Sequence, residues 1–227
     1  MNKIQNASEA WAGHSFQEVE SYVKEQIGLY GAELVDMGLP SGRLWADRNI
    51  GAASETDGGL YFQWGDVEGC SKDSGRYCSG SRTAERNWTG DYSATHGCML
   101  GDSQNIPVDP YFDAARKNMG APWRMPTTAE IQELFNSAYT TNEWVTNYKG
   151  SGINGRLVTS KANGNTLFFP AAGYFSEGFN SFGSYGDYWS SSYALSVPAY
   201  ALSFDSNNVT PNLYTSRYFG CSVRAVQ

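Results

Sequence analysis

The apolar residues of this chain fall into short runs that glycine and proline interrupt, and this pattern limits the fold more than any other feature. Leu34-Val35, Leu44-Trp45 and Leu60-Tyr61-Phe62 are separated by Gly-Leu-Pro-Ser-Gly at 38–42 and by Gly-Gly at 58–59. Short runs bounded by turn residues are typical of strands. The chain also has 25 Gly, 15 Tyr and 11 Phe but only 17% charged residues, a composition that excludes a helical bundle.

The N-terminal segment carries the longest helical pattern. Ser15 and Glu18 have the spacing of a capping box, in which the two side chains satisfy the first backbone amides of a helix. An apolar stripe follows and ends before Gly31, a residue typical of a helix C-terminus. We expect an amphipathic helix within residues 1–31 that either packs on its own domain or docks on partner chains. The stripe consists of Phe16, Val19, Val23, Ile27 and Tyr30.

Two shorter helices are predicted in the middle of the chain. Asp109 before Pro110 is typical of a helix start, and Gly120 of the corresponding end. Thr127 and Glu130 form a second capping box. The apolar face behind it consists of Ile131, Leu134, Phe135 and Ala138. Residues 66–105 read as a long irregular insertion, and short strands are predicted at 165–169, 188–192, 199–204 and 222–226. The predicted fold class is therefore α+β.

Five motifs follow one another along residues 33–227. They are Val35–Ala46 with Tyr61–Gly65, Trp123–Thr127, Phe169–Gly173, Tyr188–Ser192 and Ser222–Val226. Their order resembles that of the Fibrobacter succinogenes major paralogous domain, and the motif at 123–127 is also similar to the helix entry of formylglycine-generating-enzyme-like proteins. The resemblance implies a C-type-lectin-like fold of that type over residues 32–227, with two helices, short antiparallel strands and the N-terminal amphipathic helix as an addition.

The C-terminal segment resembles the variable region of proteins diversified by retroelements. In those proteins the randomised adenines lie mostly in AAC or AAT codons, which cannot mutate to codons for Met, Lys, Gln, Glu or Trp. These five types account for 37 of the 227 residues, yet none occurs from Tyr193 to Cys221. Asn207, Asn208 and Asn212 fit codons left unmutated. We therefore expect a hypervariable region at about 193–221.

Alternation within this segment separates a fixed core from a replaceable surface. In Ala201-Leu202-Ser203-Phe204-Asp205, Leu202 and Phe204 should point inward. Trp189, Val209 and Arg224 are further expected core residues, and Tyr214, Tyr218 and Phe219 are expected outward aromatics of the kind that dominates binding hot spots. The alternative is an aromatic surface without a partner. The predicted ligand-binding set is Tyr193, Ala194, Leu195, Val197, Pro198, Ala201, Ser203, Asp205, Thr210, Leu213, Tyr214, Thr215, Ser216, Tyr218 and Phe219.

Catalytic and metal chemistry has little support in the sequence. The two histidines are His14 and His96, and neither lies beside a nucleophile motif. Related formylglycine-generating enzymes use a pair of cysteines in the C-terminal half, where this chain has Cys221 alone. Zinc bound by His96 and the other cysteines would lack the paired Cys-x-x-Cys spacing, so a disulfide or free thiols compete with it. No Asp-x-Asp-x-Asp-Gly loop that would bind calcium is present. The other cysteines are Cys70, Cys78 and Cys98.

The net charge and the N-terminal motif limit the classes of partner that we expect for this chain. The net charge of −7 argues against nucleic acid and anionic lipid, and no apolar run is long enough for a membrane span. Residues 11–20 are similar to the leaders of tail-associated proteins of Bacteroides phages. We expect a non-enzymatic ligand-binding protein without cofactor or metal, made in the bacterial cytoplasm and located in the phage tail. It would bind a host cell-surface protein or glycan and join other virion chains, or a homotrimer, through its N-terminal helix. The alternatives are a bacterial cell-surface or pilus-type protein and a degenerate enzyme relative.

Overall fold

The computed structural model of the chain describes residues 31–72, 106, 108, 110–176, 178–193, 198–217 and 219–227. Within these residues there are twelve strands and two α-helices, with a 3-10 turn at Tyr148–Gly150. The elements in chain order are β1 (Leu34–Asp36), β2 (Leu44–Ala46), β3 (Leu60–Tyr61), β4 (Cys70–Ser71), α1 (Ala114–Met119), α2 (Thr128–Leu134), β5 (Thr140–Val145), β6 (Gly155–Ser160), β7 (Thr166–Pro170), β8 (Tyr174–Phe175), β9 (Phe179–Asn180), β10 (Gly186–Tyr193), β11 (Pro198–Phe204) and β12 (Val209–Ser216).

The predicted α+β, C-type-lectin-like class is wrong. The described residues are 38% strand and 10% helix, and the strands form five small antiparallel sheets. Two sheets have three strands, β5-β6-β7 and β10-β11-β12, and the others have two. The helices contribute little because α1 ends after six residues at Gly120, and α2 ends at Leu134 after seven. The expected N-terminal amphipathic helix within residues 1–31 falls almost wholly outside the described residues.

The predicted helices differ in how well their boundaries agree with the structure. The capping box of α2 is confirmed, since the Thr127 side chain accepts from the Glu130 amide and Glu130 accepts from the Thr127 amide. Ala138 is wrong as a member of its buried face, because α2 ends before it and its side chain is exposed. Helix α1 begins later than expected. Asp113 is its N-cap and accepts from the Arg116 amide.

The C-terminal segment after β12 joins the N-terminal strands to the sheet β10-β11-β12. Val226 forms bridges with both Trp45 and Arg124, and Cys221 pairs with Phe62. Ser222 pairs with Tyr188, and its carbonyl accepts from the Trp189 amide at 2.9 Å. Residues about 160 positions apart in sequence are thus held in one core.

Candidate ligand-binding surface

The sheet β10-β11-β12 carries apolar clusters on both faces. Tyr188 pairs with Leu202, and Phe204 stacks on Tyr188 at a ring distance of 5.9 Å beneath α2. On the opposite face Trp189 pairs with Ala201, and its Nε1 donates to the Phe62 carbonyl at 2.7 Å. The inward orientation of Leu202 and Phe204 is confirmed, because each is 1% exposed. The central strand β11 is therefore covered on both sides from Ala201 to Phe204.

Arg224 is buried in this core, which confirms its prediction as a core residue. Its guanidinium lies 4.5 Å from the Phe169 ring centroid. Nε donates to the Asn49 side chain at 3.0 Å, and Nη2 donates to the Phe168 carbonyl at 2.9 Å. Burial lowers the pKa of Arg224 to about 10, so it stays charged at neutral pH. Its bonds to neutral acceptors fix the C-terminal segment against the N-terminal half.

Three members of the predicted ligand-binding set are buried, and this corrects their assignment as free surface positions. Ala201, Ser203 and Thr215 lie within the sheet, with Ala201 packed in the cluster of Trp189. Alternation predicts exposure only where one face of a strand meets solvent, and the part of β11 from Ala201 to Phe204 has no such face because all four residues are buried. Ser203 Oγ and Tyr185 Oη are hydrogen-bonded at 2.7 Å. These three side chains support the surface from below.

Among the described aromatic members of the set, Tyr214 is the exposed one, with 62% of its surface accessible. Its ring centroid lies 4.9 Å from that of Tyr200 on β11, and the two hydroxyl oxygens are 3.2 Å apart. Phe219 is half-buried rather than outward, because its ring stacks on Tyr174 at 5.5 Å. The remaining described members, all half-buried, are Asp205, Thr210, Leu213 and Ser216.

Val209, which was predicted as a core residue, is only half-buried, against the cluster under α2. The set members outside the described side chains are Tyr193, Ala194, Leu195, Val197, Pro198 and Tyr218.

A concavity of about 520 Å³ lies beside Tyr214. Five of its nine lining residues belong to the predicted ligand-binding set. They are Leu213, Tyr214, Thr215, Ser216 and Phe219. The other four, which sequence reasoning missed, are Tyr174, Ser181, Tyr185 and Asp187. They come from β8, the segment after β9, and β10, whose approach to β12 no local pattern predicts.

Asp187 is the titratable group of the concavity whose environment departs most from water. It is 3% exposed, and its Oδ1 has no hydrogen-bond partner among the described residues. Burial raises its pKa to about 7, against an opposing hydrogen bond from Ser203. The sequence holds one signal for the burial of Asp187, which directly precedes the aromatic residues Tyr188 and Trp189 at the start of a predicted strand.

Gly173 sets the backbone that presents Tyr174. Its φ is +68°, a conformation that residues with a side chain rarely adopt. A Cβ at this position would lie 2.2 Å from the Asn180 carbonyl oxygen, so the close pairing of β8 with β9 requires glycine. The Phe169–Gly173 motif thus ends in a position needed to build one wall of the concavity.

The cysteines separate into two kinds. Cys70 is disulfide-bonded, whereas Cys221 is free. The Cys221 thiol is buried, which raises its pKa well above the ordinary value. Over the described ranges, no group of three or more His, Cys, Asp or Glu side chains could hold a metal ion. Likewise, none of the helices described is long and apolar enough to cross a membrane.

Comparison of the chain with protein-family models, curated proteins and solved structures finds no match.

Proposed function

We propose that this chain is a non-enzymatic display protein, diversified by a retroelement, that binds a host-surface ligand at the tip of a phage tail fibre. The main support for the proposal is the set of residues that line the concavity. Five of its nine lining residues come from the segment whose residue types fit randomised AAC or AAT codons. Apart from the buried Thr215, these residues are free to change, and they lie together at a place where a ligand fits.

The support beneath these residues favours the same function. Trp189, Leu202, Phe204 and Arg224 are buried and lie outside the predicted ligand-binding set. A protein whose binding surface varies needs a core that does not depend on that surface, because most core substitutions are destabilising. The exposed Tyr214–Tyr200 pair adds aromatic area of the type that supplies binding energy at low entropic cost.

An enzymatic alternative of the formylglycine-generating type has little support in this chain. Such chemistry needs a reactive thiolate, and burial raises the pKa of the one cysteine in the C-terminal half, Cys221. A thiol in that environment is a structural group. We therefore assign no catalytic residue and no cofactor.

Binding of the purified full chain to intact Bacteroides cells tests the proposal. The informative variant is Tyr214→Ser, which removes an exposed ring from the rim of the concavity. The matched control is Tyr111→Ser, since Tyr111 is also an exposed tyrosine (73%) but lies before α1. We expect Tyr214→Ser to weaken binding by about tenfold or more and Tyr111→Ser to leave it unchanged. Equal effects of the two variants, or no binding by the parent protein, would contradict the proposal.

A second candidate is a bacterial cell-surface or pilus-type adhesin, and the disulfide at Cys70 favours it. Disulfides persist in oxidising compartments and are rare in proteins that stay in the cytoplasm. Immunogold labelling separates the two candidates. Label on tail tips of purified particles supports the phage protein, whereas label on the bacterial envelope supports the adhesin.

A further inference from the structure

The concavity beside Tyr214 combines two kinds of residue. One wall comes from the predicted ligand-binding set, as described above. The rest of the described lining comes from residues outside that set. Among these we call Tyr174, Tyr185 and Asp187 the floor of the concavity. A recognition feature built on these residues would be common to all variants of the protein, whatever the rim became.

The carboxylate of Asp187 gives that floor its chemistry. Its Oδ1 is buried and accepts no hydrogen bond from any described residue, although ionised carboxylates are pure acceptors. A buried acceptor left unsatisfied costs free energy, which a donor brought by a ligand would recover. The floor is therefore suited to a ligand group that donates hydrogen bonds.

Aromatic rings surround the same space. The Tyr174 ring lies 6.1 Å from Tyr185 and 5.5 Å from Phe219, and Tyr214 stands on the rim. Aromatic faces attract cations, and attract them more strongly where water is excluded. The nine described lining residues include no Lys, Arg or His, so among them no cationic side chain would favour an anion. The net charge of −7 adds a general attraction for cations.

We propose that this concavity binds a protonated primary amine, with the ammonium group donating to Asp187 and packing against the rings of Tyr174, Tyr185 and Tyr214. This inference rests on the proposed ligand-binding function and names the chemical class recognised. Asp187 and the other floor residues, which lie outside the predicted ligand-binding set, bind the ammonium group. The residues of that set on the rim select among the molecules that carry such a group.

The charge state of the Asp187 carboxyl group is compatible with binding an ammonium group. Burial raises the pKa of Asp187 to about 7, so the carboxyl group is partly ionised at neutral pH. An ammonium group within a few ångströms stabilises the ionised form, so binding itself would complete the ionisation.

Paired probes, one with a protonated amine and one with the same amine acetylated and therefore neutral, test the inference on the full chain. One pair is Nα-acetyl-lysine methylamide and its Nε-acetylated form, which represent amines carried by proteins. The other pair is glucosamine and N-acetylglucosamine, which represent amines carried by glycans. Binding is followed by amide chemical shifts in ¹H–¹⁵N NMR spectra. We expect the charged member of at least one pair to shift the signals of Tyr174 and Asp187, and its neutral partner to leave them in place.

Two variants locate the effect. Asp187→Asn keeps the side-chain shape and removes the charge, and it should weaken amine binding about ten- to hundredfold. Glu143→Gln removes one exposed charge from β5, on a different sheet, and should have no effect. Equal shifts from charged and neutral probes, no shift from either amine, or unchanged binding by Asp187→Asn would overturn the inference. The probe comparison needs no variant, so it holds even where Asp187→Asn fails to fold.

Failure here is distinguishable from failure of the proposed function. If neither amine binds but Tyr214→Ser still abolishes attachment to cells, the amine assignment falls while the ligand-binding surface stands.

Discussion

Phe204 and Tyr214 lie on adjacent strands of one sheet but in opposite environments. Phe204 is 1% exposed and contacts Tyr188 and Trp144, whereas most of Tyr214 faces solvent. Truncating a buried phenylalanine removes apolar contacts and leaves a cavity. A surface substitution removes neither.

The first prediction compares these two residues. Phe204→Ala should lower the free energy of unfolding by about 3–5 kcal/mol. Tyr214→Ser should change it by no more than about 0.5 kcal/mol. Urea unfolding of the full chain measures both values. Equal losses would mean that the rim is part of the core rather than a replaceable surface.

The second prediction concerns the pH dependence that Asp187 introduces. Its pKa is about 7 in the folded protein and about 3.9 in an unfolded chain. The folded state therefore binds more protons between these values, so stability falls as pH rises from about 4 to 7 and this contribution is constant outside that window. The full difference amounts to about 4 kcal/mol at most.

Asp187→Asn isolates this term from the other titrating groups. The stability of the parent protein relative to Asp187→Asn should decline between pH 4 and pH 7, as measured by urea unfolding at each pH. A difference that stays constant across this range would show that Asp187 is not buried as described.

At the scale of elements, α2 is held at its start by the capping box. Glu130 also pairs with Arg124, whose Nη1 donates to Glu130 Oε2 at 2.8 Å, and with Arg43 at 3.0 Å. Burial would raise the pKa of Glu130, but the hydrogen bonds from Arg124 and from the Thr127 amide, together with the Arg124 charge, outweigh it and lower the pKa. The helix start therefore also links β2 to the segment before α2.

The third prediction tests this cap. Thr127→Ala removes the side-chain acceptor for the Glu130 amide and should cost about 1 kcal/mol, within a range of roughly 0.5–2. Gln132→Ala, an exposed position on the same helix, is the control and should be close to neutral. Thermal unfolding monitored by circular dichroism compares them. A neutral Thr127→Ala would mean that packing alone positions α2.

Local signals predicted several elements well. The short runs at Leu34, Leu44 and Leu60 became β1, β2 and β3, and the capping box at Thr127 became the start of α2. These features depend on neighbours in sequence, which a pattern reads directly. Strands β5 and β6 were not predicted individually, since the residues joining them carry no two-residue turn signature.

The non-local features escaped prediction for a physical reason. Asp113 rather than Asp109 caps α1, because its carboxylate also accepts from the distant Met125 amide at 3.0 Å. The two-sided burial of β11 and the approach of Asp187 to β12 likewise depend on which strands pair. Composition and spacing do not encode that choice, so the aromatic rim was foreseen while the carboxylate floor was not.

At the scale of the whole molecule, three buried clusters lie within residues 37–226. The fourth prediction is that deleting residues 1–30 leaves the melting temperature nearly unchanged but abolishes incorporation into particles. Differential scanning calorimetry and immunoblotting of purified particles measure the two effects. If the truncated protein is unfolded, the N-terminal segment belongs to the domain core and does not serve as a docking helix.

Diversification by a retroelement would leave a record in the gene of the proposed division between a fixed core and a replaceable surface. Sequencing the DNA that flanks the gene is the direct measurement. We expect an imperfect repeat of the 3′ end beside a reverse-transcriptase gene, differing at template adenines in the codons of Leu213, Tyr214 and Ser216. The codons of Trp189, Leu202 and Phe204 should be identical in the two copies. The absence of a repeat, or differences concentrated in the codons of those buried residues, would contradict the account.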